Sequence, residues 1–267
     1  MLKVSDDWPI YFHFLRRNFL AIFGAMDYYF ITGTSRGIGR ALVEKALEDD
    51  AARVIGFSRS PSVSHSHYTH IEVDLTDIDA LLSQVDSYFT TLEEAQRIVL
   101  INNAGTLGDI KYLGDAAPAS VVALFNLNVI APTLLMNAFL QQYRSVEAEK
   151  LIINVSSGAG KYPIDGWSGY CASKAALDMV SQVADLEGKK RNHNVRVYAL
   201  APGVVDTDMQ AHIRDTDVAD FSSLEKFKNY HAKSALNDPV ATADKFFQLI
   251  RQPEQFEEVL QDVREFK

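Results

Sequence analysis

Tyr170 and Lys174 lie four residues apart in the stretch 166–179, which reads GWSGYCASKAALDM. Residues at this spacing share one face of an α-helix, so the lysine ammonium would lie beside the tyrosine phenol. An isolated phenol has a pKa near 10, and lowering it by about 3 units requires roughly 4 kcal/mol of extra stabilisation of the phenolate. The pair therefore fits either an ordinary surface contact or a phenol that is tuned to transfer a proton.

A second candidate site is a glycine-rich loop. Gly33, Gly37 and Gly39 occur in TGTSRGIGR, directly after the apolar run DYYFIT and directly before the helix-forming ALVEKALE. Glycines let the backbone turn tightly and approach a pyrophosphate, and the N-terminus of the following helix offers unpaired amides. A glycine triplet alone can be only a tight turn, but its position between a strand and a helix favours phosphate binding.

The end of the next apolar run predicts which dinucleotide is bound. Folds that select the unphosphorylated cofactor usually carry an acid there, but this chain has Ser58 and Arg59. A hydroxyl and a guanidinium can bind a 2′-phosphate through charge-assisted hydrogen bonds. Arg36 in the glycine loop supplies a second cation. The sequence therefore predicts NADPH/NADP as the cofactor, while each arginine taken alone would also fit a solvated surface charge.

The elements that must position these residues follow from the hydropathy pattern. Short apolar runs alternate with longer amphipathic segments, which predicts an α/β fold: a single-domain, Rossmann-like, doubly wound parallel sheet with helices on both faces. The polar segment 206–237 follows the sixth strand, at the end of the sheet where ligands bind, so we expect a substrate lid there. The predicted strands are 27–32, 53–58, 70–74, 97–102, 150–156 and 195–201, and the predicted helices include 38–49, 77–92, 119–144 and 168–188.

The composition narrows the class of partner. The chain has 267 residues, a formal net charge of −9 and a single cysteine, Cys171. An acidic chain of this kind lacks the basic face that nucleic acids or anionic membranes require, so we expect a small-molecule partner. One cysteine cannot form an internal disulfide, which fits a cytoplasmic protein in a reducing compartment. The length is sufficient for one domain, which we expect to span 26–267.

The first 25 residues differ from the rest. They are aromatic and apolar but are interrupted by Arg16 and Arg17, which leaves too short a run to span a bilayer. The segment 1–25 is predicted to be an N-terminal extension, with two alternatives open. Either Met26 is the natural start, or the segment is an added amphipathic helix on the surface of the domain.

Five motifs in order resemble the short-chain dehydrogenase/reductase family: TGTSRGIG, LINNAG at 100–105, NVSS at 154–157, YCASK at 170–174 and APG at 201–203. The resemblance extends from about residue 26 to the end of the chain. It implies that Tyr170 is the proton donor, that Lys174 is its partner and a ribose ligand, and that Ser157 positions the carbonyl. It also implies that Asn128, in FNLNV, holds a proton-relay water.

The same resemblance implies a set of cofactor contacts. Asp74 and Leu75 would flank the adenine, although Asp74 could instead only cap a turn, and Asn103 could only satisfy the polar groups of a loop. The complete set of expected cofactor ligands is Gly33, Ser35, Arg36, Gly37, Ile38, Gly39, Ser58, Arg59, Asp74, Leu75, Asn103, Ala104, Gly105, Tyr170, Lys174, Pro202, Gly203, Val205 and Thr207.

Within the family the chain is most similar to the sepiapterin reductases and to the related bacterial benzil reductases, through INNAGTLGD, GWSGYCASKAALDM and APGVVDTDMQ. This similarity implies an aromatic or pteridine carbonyl substrate that contacts Ser157, Trp167 and Tyr170. It also implies that Asp262, in QDVREF, anchors a pteridine ring. A solvated acid near the end of a chain is the alternative.

The remaining predictions concern metal binding, an alternative function and dimer formation. His65, His67 and His70 lie close together, but no cysteine or acidic ligand shares their spacing, so we expect a polar loop and no metal. A redox-sensing protein that binds NADPH without turnover is the alternative function, as is a short-chain alcohol dehydrogenase with an unrelated substrate. The long helices at 119–144 and 168–188 resemble those that pair in homodimers of the family.

Overall fold

The computed structural model describes residues 25–266, so the predicted extension 1–25 lies outside the described residues apart from Ala25. A parallel β-sheet with seven strands forms the centre of this part of the chain. The strands are β1 (Met26–Thr32), β2 (Ala52–Ser58), β3 (Tyr68–Glu72), β4 (Ala95–Asn102), β5 (Glu149–Val155), β6 (Val195–Ala201) and β7 (Leu260–Asp262).

The strand order is β3-β2-β1-β4-β5-β6-β7, with every neighbouring pair parallel. The order reverses between β1 and β4, and ligands of doubly wound sheets bind at such a switch point. The six predicted strands are confirmed within about two residues at each end. The sequence analysis did not predict β7, because three residues are too few to show a periodic pattern.

The helices cover both faces of the sheet, as predicted. The longest of those described, α5, contains both Tyr170 and Lys174 and ends at Arg191, where Asn192 caps the last turn with a left-handed backbone (φ 54°). The helices are α1 (Gly37–Ala46), α2 (Ile78–Gln84), α3 (Pro118–Phe125), α4 (Ala131–Tyr143), α5 (Ser168–Arg191), α6 (Asp208–Arg214), α7 (Leu224–Ala232) and α8 (Pro239–Arg251).

Two hydrophobic cores lie on opposite faces of the sheet. In the first, α1 and α8 cover β1, β5 and β6, with Leu42, Phe246 and Ile250 fully buried. In the second, α2 and α4 pack beneath β1 and β4 around Phe30, Phe89 and Phe139. Strands that are buried on both faces need near-continuous apolar sequences, which is why the six longer strands were visible in the sequence.

The predicted helix 119–144 is interrupted. A π-helical turn, Asn126–Ile130, joins α3 to α4, and Asn128 lies within it. Together these helical segments, Pro118–Tyr143, are long and apolar enough to cross a membrane by length and composition alone. Leu124, Leu135 and Phe139 in this stretch are buried against the rest of the protein.

Candidate active site

The predicted site residues converge at the carboxyl ends of the parallel strands. Gly33 follows β1 with a φ of 72°, a backbone conformation that side chains other than glycine rarely adopt. A Cβ atom on Gly39 would lie 2.2 Å from the carbonyl oxygen of Gly33 and 2.5 Å from Nδ2 of Asn103. Glycine at these two positions therefore allows the start of α1 to pack directly against the loops after β1 and β4.

The N-terminus of α1 fits a phosphate group. Its N-cap residue is Arg36, whose side chain makes no capping hydrogen bond, and the first turn contains no acidic residue. The amides of this turn thus have no side-chain acceptor, and the helix dipole favours an anion at this end. A nicotinamide dinucleotide carries such an anion in its pyrophosphate. The predicted ligands Ser35, Gly37 and Ile38 all belong to this loop and turn.

The two predicted phosphate cations are both exposed, but they differ in their partners. Ser58 is buried at the end of β2, and Arg59 extends beyond it close enough to lower the pKa of the Asp74 carboxyl. Arg36 Nη1 lies 2.6 Å from Oδ2 of Asp208, the first residue of α6. Exposed ion pairs of this kind contribute little, so a phosphate could displace Asp208 at small cost.

Asn103 and Asp74 already have partners within the protein. Asn103 Nδ2 donates to the carbonyl oxygen of Thr32 at 3.0 Å, and the amides of Asn103 and Ala104 both donate to the Thr32 hydroxyl. Asp74 Oδ1 accepts from the amide and the hydroxyl of Thr76, hydrogen bonds that lower its pKa. Both residues thus have the loop-stabilising roles that were the alternative for them, and Leu75 beside Asp74 is buried.

Ser157, Tyr170 and Lys174 lie together where β5 faces the start of α5. Tyr170 and Lys174 are almost fully buried, and Lys174 Nζ lies 5.7 Å from the centre of the Tyr170 ring. Ser157 follows β5 and lies close enough to the Tyr170 hydroxyl to oppose the rise in its pKa. A Cβ atom on Gly105 would lie 3.6 Å from Lys174 Nζ, so the loop after β4 lines the same space.

Burial dominates the electrostatics of the Tyr170–Lys174 pair. Burial raises the pKa of Tyr170 to about 12, and the hydrogen bond from Ser157 opposes this only in part. Burial also lowers the pKa of Lys174 to about 8. Lys174 Nζ donates to the carbonyl oxygen of Val155 at 2.7 Å and makes no hydrogen bond to the phenol. The side chains alone therefore do not lower the pKa of Tyr170, because desolvation outweighs their stabilisation of the phenolate.

Asn128 is buried inside the π-helical turn, and its side chain is fully engaged. Nδ2 donates to the carbonyl oxygen of Thr106 at 2.8 Å and to Ser173 Oγ at 3.0 Å, while Oδ1 accepts from the Thr106 amide. These bonds join the π-turn to α5 and to the loop after β4. Both polar atoms of the Asn128 amide therefore already have partners within the protein.

The loop after β6 contains the predicted ligands Pro202, Gly203, Val205 and Thr207. Val205 forms an isolated bridge with Asn237, which closes the base of the segment 206–237. Thr207 contacts the glycine loop, since its Cγ2 atom lies 3.2 Å from the position of a Cβ atom on Gly37. The loop thus connects the phosphate site to the lid.

The predicted lid, residues 206–237, contains α6 and α7, and its aromatic residues form a cluster with Trp167 over Tyr170. Trp167 stacks on Phe221 with ring centres 5.1 Å apart, and Phe227 packs against both rings. Trp167 also meets Tyr170 edge to face at 5.6 Å. The predicted lid position is consistent with this arrangement, and the cluster gives the site an aromatic wall.

Polar contacts fasten the lid to the neighbouring loops. Lys111 Nζ forms an ion pair with Asp220, and Asp165 accepts hydrogen bonds from Tyr112 and from Ser222. A Cβ atom on Gly166 would lie 2.4 Å from the carbonyl oxygen of Asp220. The loop after β4, the loop before α5 and the lid therefore meet at one point.

Asp262 is the last residue of β7 and lies beside the loop after β6, as its predicted role requires. Its carboxylate is occupied by Arg264, whose Nε lies 2.8 Å from Oδ1 and whose Nη2 bonds Oδ2. Burial raises the pKa of Asp262, but the hydrogen bonds from Arg264 outweigh this and lower it overall. A pteridine would have to compete with this guanidinium.

Sequence reasoning missed several residues of the site. Two of them could have been found from spacing alone: Arg264 lies two positions after Asp262, and Asp178 lies eight positions after Tyr170 on the same helical face. Phe221 and Phe227 gave no such signal, because their contact with Trp167 depends on how the lid folds back over α5. Among residues 25–266, no group of three or more His, Cys, Asp or Glu side chains could hold a metal ion.

Comparison with known proteins places this geometry in a family. Residues 28–218 match the family model described as short chain dehydrogenase. A benzil reductase ((S)-benzoin forming) of Bacillus subtilis is 34% identical over 244 residues, which cover 90% of this chain and 100% of that protein. Sepiapterin reductase of Bos taurus is 31% identical, covering 83% of this chain and 88% of that protein.

Solved structures share the fold. A short chain dehydrogenase/reductase from Saccharomyces cerevisiae superimposes with a TM-score of 0.77 at 22% identity, covering 90% of this chain and 97% of that one. A short chain dehydrogenase from Burkholderia cenocepacia in complex with NADP gives a TM-score of 0.68 at 21% identity, covering 90% and 88%. Sequence, topology and relatives agree: the chain belongs to the short-chain dehydrogenase/reductase family of oxidoreductases.

Proposed function

We propose that this protein is an NADPH-dependent carbonyl reductase, acting on a ketone or diketone of an aromatic or pteridine substrate. The observation that carries the proposal is the meeting of Ser157, Tyr170 and Lys174 beneath the aromatic cluster of the lid. The relatives named as benzil and sepiapterin reductases support the same reaction class.

In the proposed mechanism Tyr170 donates its proton to the oxygen of the substrate carbonyl. A phenol whose pKa is raised by burial holds its proton at neutral pH, which suits a general acid. Ser157 donates a hydrogen bond to the same oxygen and stabilises the negative charge that develops there. The bound cofactor supplies the hydride to the carbonyl carbon. Lys174, near the phenol, stabilises the phenolate that remains until a proton returns through a water at Asn128.

On the cofactor side, the proposed ligands are the amides at the start of α1 for the pyrophosphate and Arg36, Ser58 and Arg59 for the 2′-phosphate. The absence of an acid after β2 supports NADPH over NADH, because a carboxylate there would repel the extra phosphate. The ion pair of Arg36 with Asp208 is exposed, so it can be exchanged for a phosphate.

The wall of the site supports an aromatic substrate, since Trp167, Phe221 and Phe227 present ring faces and edges. Between the two substrate classes, the ion pair of Asp262 with Arg264 favours a diketone such as benzil. A pteridine anchor must accept hydrogen bonds, and the Asp262 oxygens already accept them from Arg264.

A substrate screen tests the proposal directly. Benzil, isatin, sepiapterin and simple aldehydes are incubated with the protein and either NADPH or NADH, and cofactor oxidation is followed by absorbance. We expect turnover of benzil with NADPH. Tight NADPH binding without turnover of any carbonyl would instead favour the redox-sensor alternative.

We also propose a homodimer, as the resemblance implies. Met179, Val183 and Leu186 form an exposed apolar stripe on α5, at spacings of four and three residues. Val122 and Ile130 are exposed on the adjoining α3 and π-turn. Sedimentation velocity should give twice the chain mass for the wild type and a shift toward monomer for Met179→Glu.

A further inference from the structure

Asp178 is a buried carboxylate that the mechanism above does not use. It lies on α5 one turn after Lys174 and two turns after Tyr170, so the three side chains follow one face of the helix. Its side chain is almost fully buried. A buried acid of this kind normally needs partners to hold its charge.

The partners of Asp178 come from the end of β5 and the turn that follows. Ser156 donates a hydrogen bond to Oδ1. Oδ2 lies 2.9 Å from the position of a Cβ atom on Gly160, so the turn after Ser157 packs directly on the carboxylate. Only glycine leaves room for the acid there.

These contacts complete a regular pattern between β5 and α5. Val155 and the two residues after it each face a different turn of the helix. The carbonyl oxygen of Val155 accepts from Lys174, the hydroxyl of Ser156 donates to Asp178, and Ser157 lies near enough to Tyr170 to lower its pKa. Asp178 thus fixes the segment that carries Ser157.

The charge of Asp178 also acts on Lys174. Burial lowers the pKa of Lys174, and Asp178 opposes that effect. Burial raises the pKa of Asp178 itself, while Ser156, Lys161 and Lys174 lower it. Around Lys174, the other elements supply the neutral Tyr170 ring, the Val155 carbonyl and Gly105.

We infer that Asp178 is a positioning residue that holds the segment carrying Ser157 and acts as the counter-ion of Lys174, one helical turn away. The inference rests on the proposed roles of Tyr170 and Lys174. It assigns to Asp178 an effect on the ionisation of Lys174 that a purely structural acid would not have.

The test is a titration of Lys174 that needs no turnover. The protein is labelled with lysine carrying ¹³C at Cε, and the Lys174 signal is assigned by its loss in Lys174→Met. In the wild type we expect a midpoint near the pKa of about 8. In Asp178→Asn, which keeps the shape and an acceptor for Ser156, the midpoint should fall by about one pH unit.

Asp185→Asn is the matched control. Asp185 is equally buried two turns further along α5, but it bonds the Val197 amide and Lys189. Its replacement should leave the midpoint of Lys174 in place. An unchanged midpoint in Asp178→Asn, or equal shifts in both variants, would overturn the inference.

Two further readouts keep the result interpretable. If Asp178→Asn does not fold, the ¹³Cγ signal of Asp178 in the labelled wild type should show a step at the Lys174 midpoint, and its absence would count against the counter-ion role. The alkaline limb of kcat/KM for benzil should move down with the lysine midpoint. Absence of turnover in the wild type would refute the proposed function alone, since the titration still decides the role of Asp178.

Discussion

The glycine-rich loop (33–39) and the predicted lid (206–237) lie on two sides of the same candidate site, but they are built differently. In the glycine-rich loop, Gly39 packs on the carbonyl oxygen of Gly33 six positions earlier, and both glycines meet Asn103 at the end of the adjacent strand. In the lid, Phe221 is more than fifty positions from Trp167, the ring on which it stacks. Local backbone constraints leave a sequence pattern, whereas a packed aromatic wall is assembled from residues of no distinctive spacing.

Tyr170 borders the aromatic cluster of the lid and is the proposed proton donor, so its substitution should have the largest effect. Tyr170→Phe removes only the transferable proton, and we expect kcat to fall by about 10²- to 10⁴-fold. NADPH binding, measured by fluorescence titration, should remain close to that of the wild type. Steady-state rates with benzil measure the loss.

Tyr198→Phe is the control for this substitution. Tyr198 is also a buried phenol, but its hydroxyl donates to the carbonyl oxygen of Pro253, on β6 away from the site. The kcat of the Tyr198→Phe variant with benzil should stay near that of the wild type. Substantial turnover in Tyr170→Phe would remove Tyr170 from the mechanism.

The sequence predicted the parts of the fold that leave a local pattern and missed those that depend on distant contacts. Six strands and the long helices were visible because burial on both faces demands apolar runs. The strand β7 was missed, since Leu260–Asp262 is too short and pairs only with β6. The raised pKa of Tyr170 was not predicted, because the degree of burial cannot be read from a helical spacing.

The candidate site divides in the same way. Spacing predicted which strand ends would meet, and the structure brings those residues to one edge. The spacing could not predict the partners of these residues. Arg36 pairs with Asp208, Asp262 pairs with Arg264, and Lys174 donates to a carbonyl oxygen. Such pairings depend on distances between loops, which no single stretch of sequence determines.

The phosphate side can be tested by removing its cations. Arg36→Ala together with Arg59→Ala should narrow the preference for NADPH over NADH, since each strong charge-assisted contact contributes about 1.5 to 3 kcal/mol. That loss corresponds to at least about a tenfold weaker affinity for NADPH per contact. The dissociation constants of both cofactors give the ratio.

Arg40→Ala provides the comparison. Arg40 is an exposed arginine on α1, the helix that begins after Arg36, and it is paired with Glu44. Its loss should not change the ratio of the NADH and NADPH dissociation constants. A double variant that keeps the wild-type ratio would locate the 2′-phosphate elsewhere.

The substrate side is tested by Asp262, where the expected effect is smaller. If its carboxylate anchors a pteridine, Asp262→Asn leaves ring donors without an acceptor and should lower kcat/KM for sepiapterin by about tenfold, with little change for benzil.

Arg264→Met sharpens the comparison, because it frees both oxygens of Asp262 and should favour sepiapterin over benzil. Equal effects of Asp262→Asn on the two substrates would make the ion pair a support for β7 alone. Activity on benzil without any on sepiapterin, in both the wild type and Arg264→Met, would place the specificity in the aromatic wall of the lid rather than in this carboxylate.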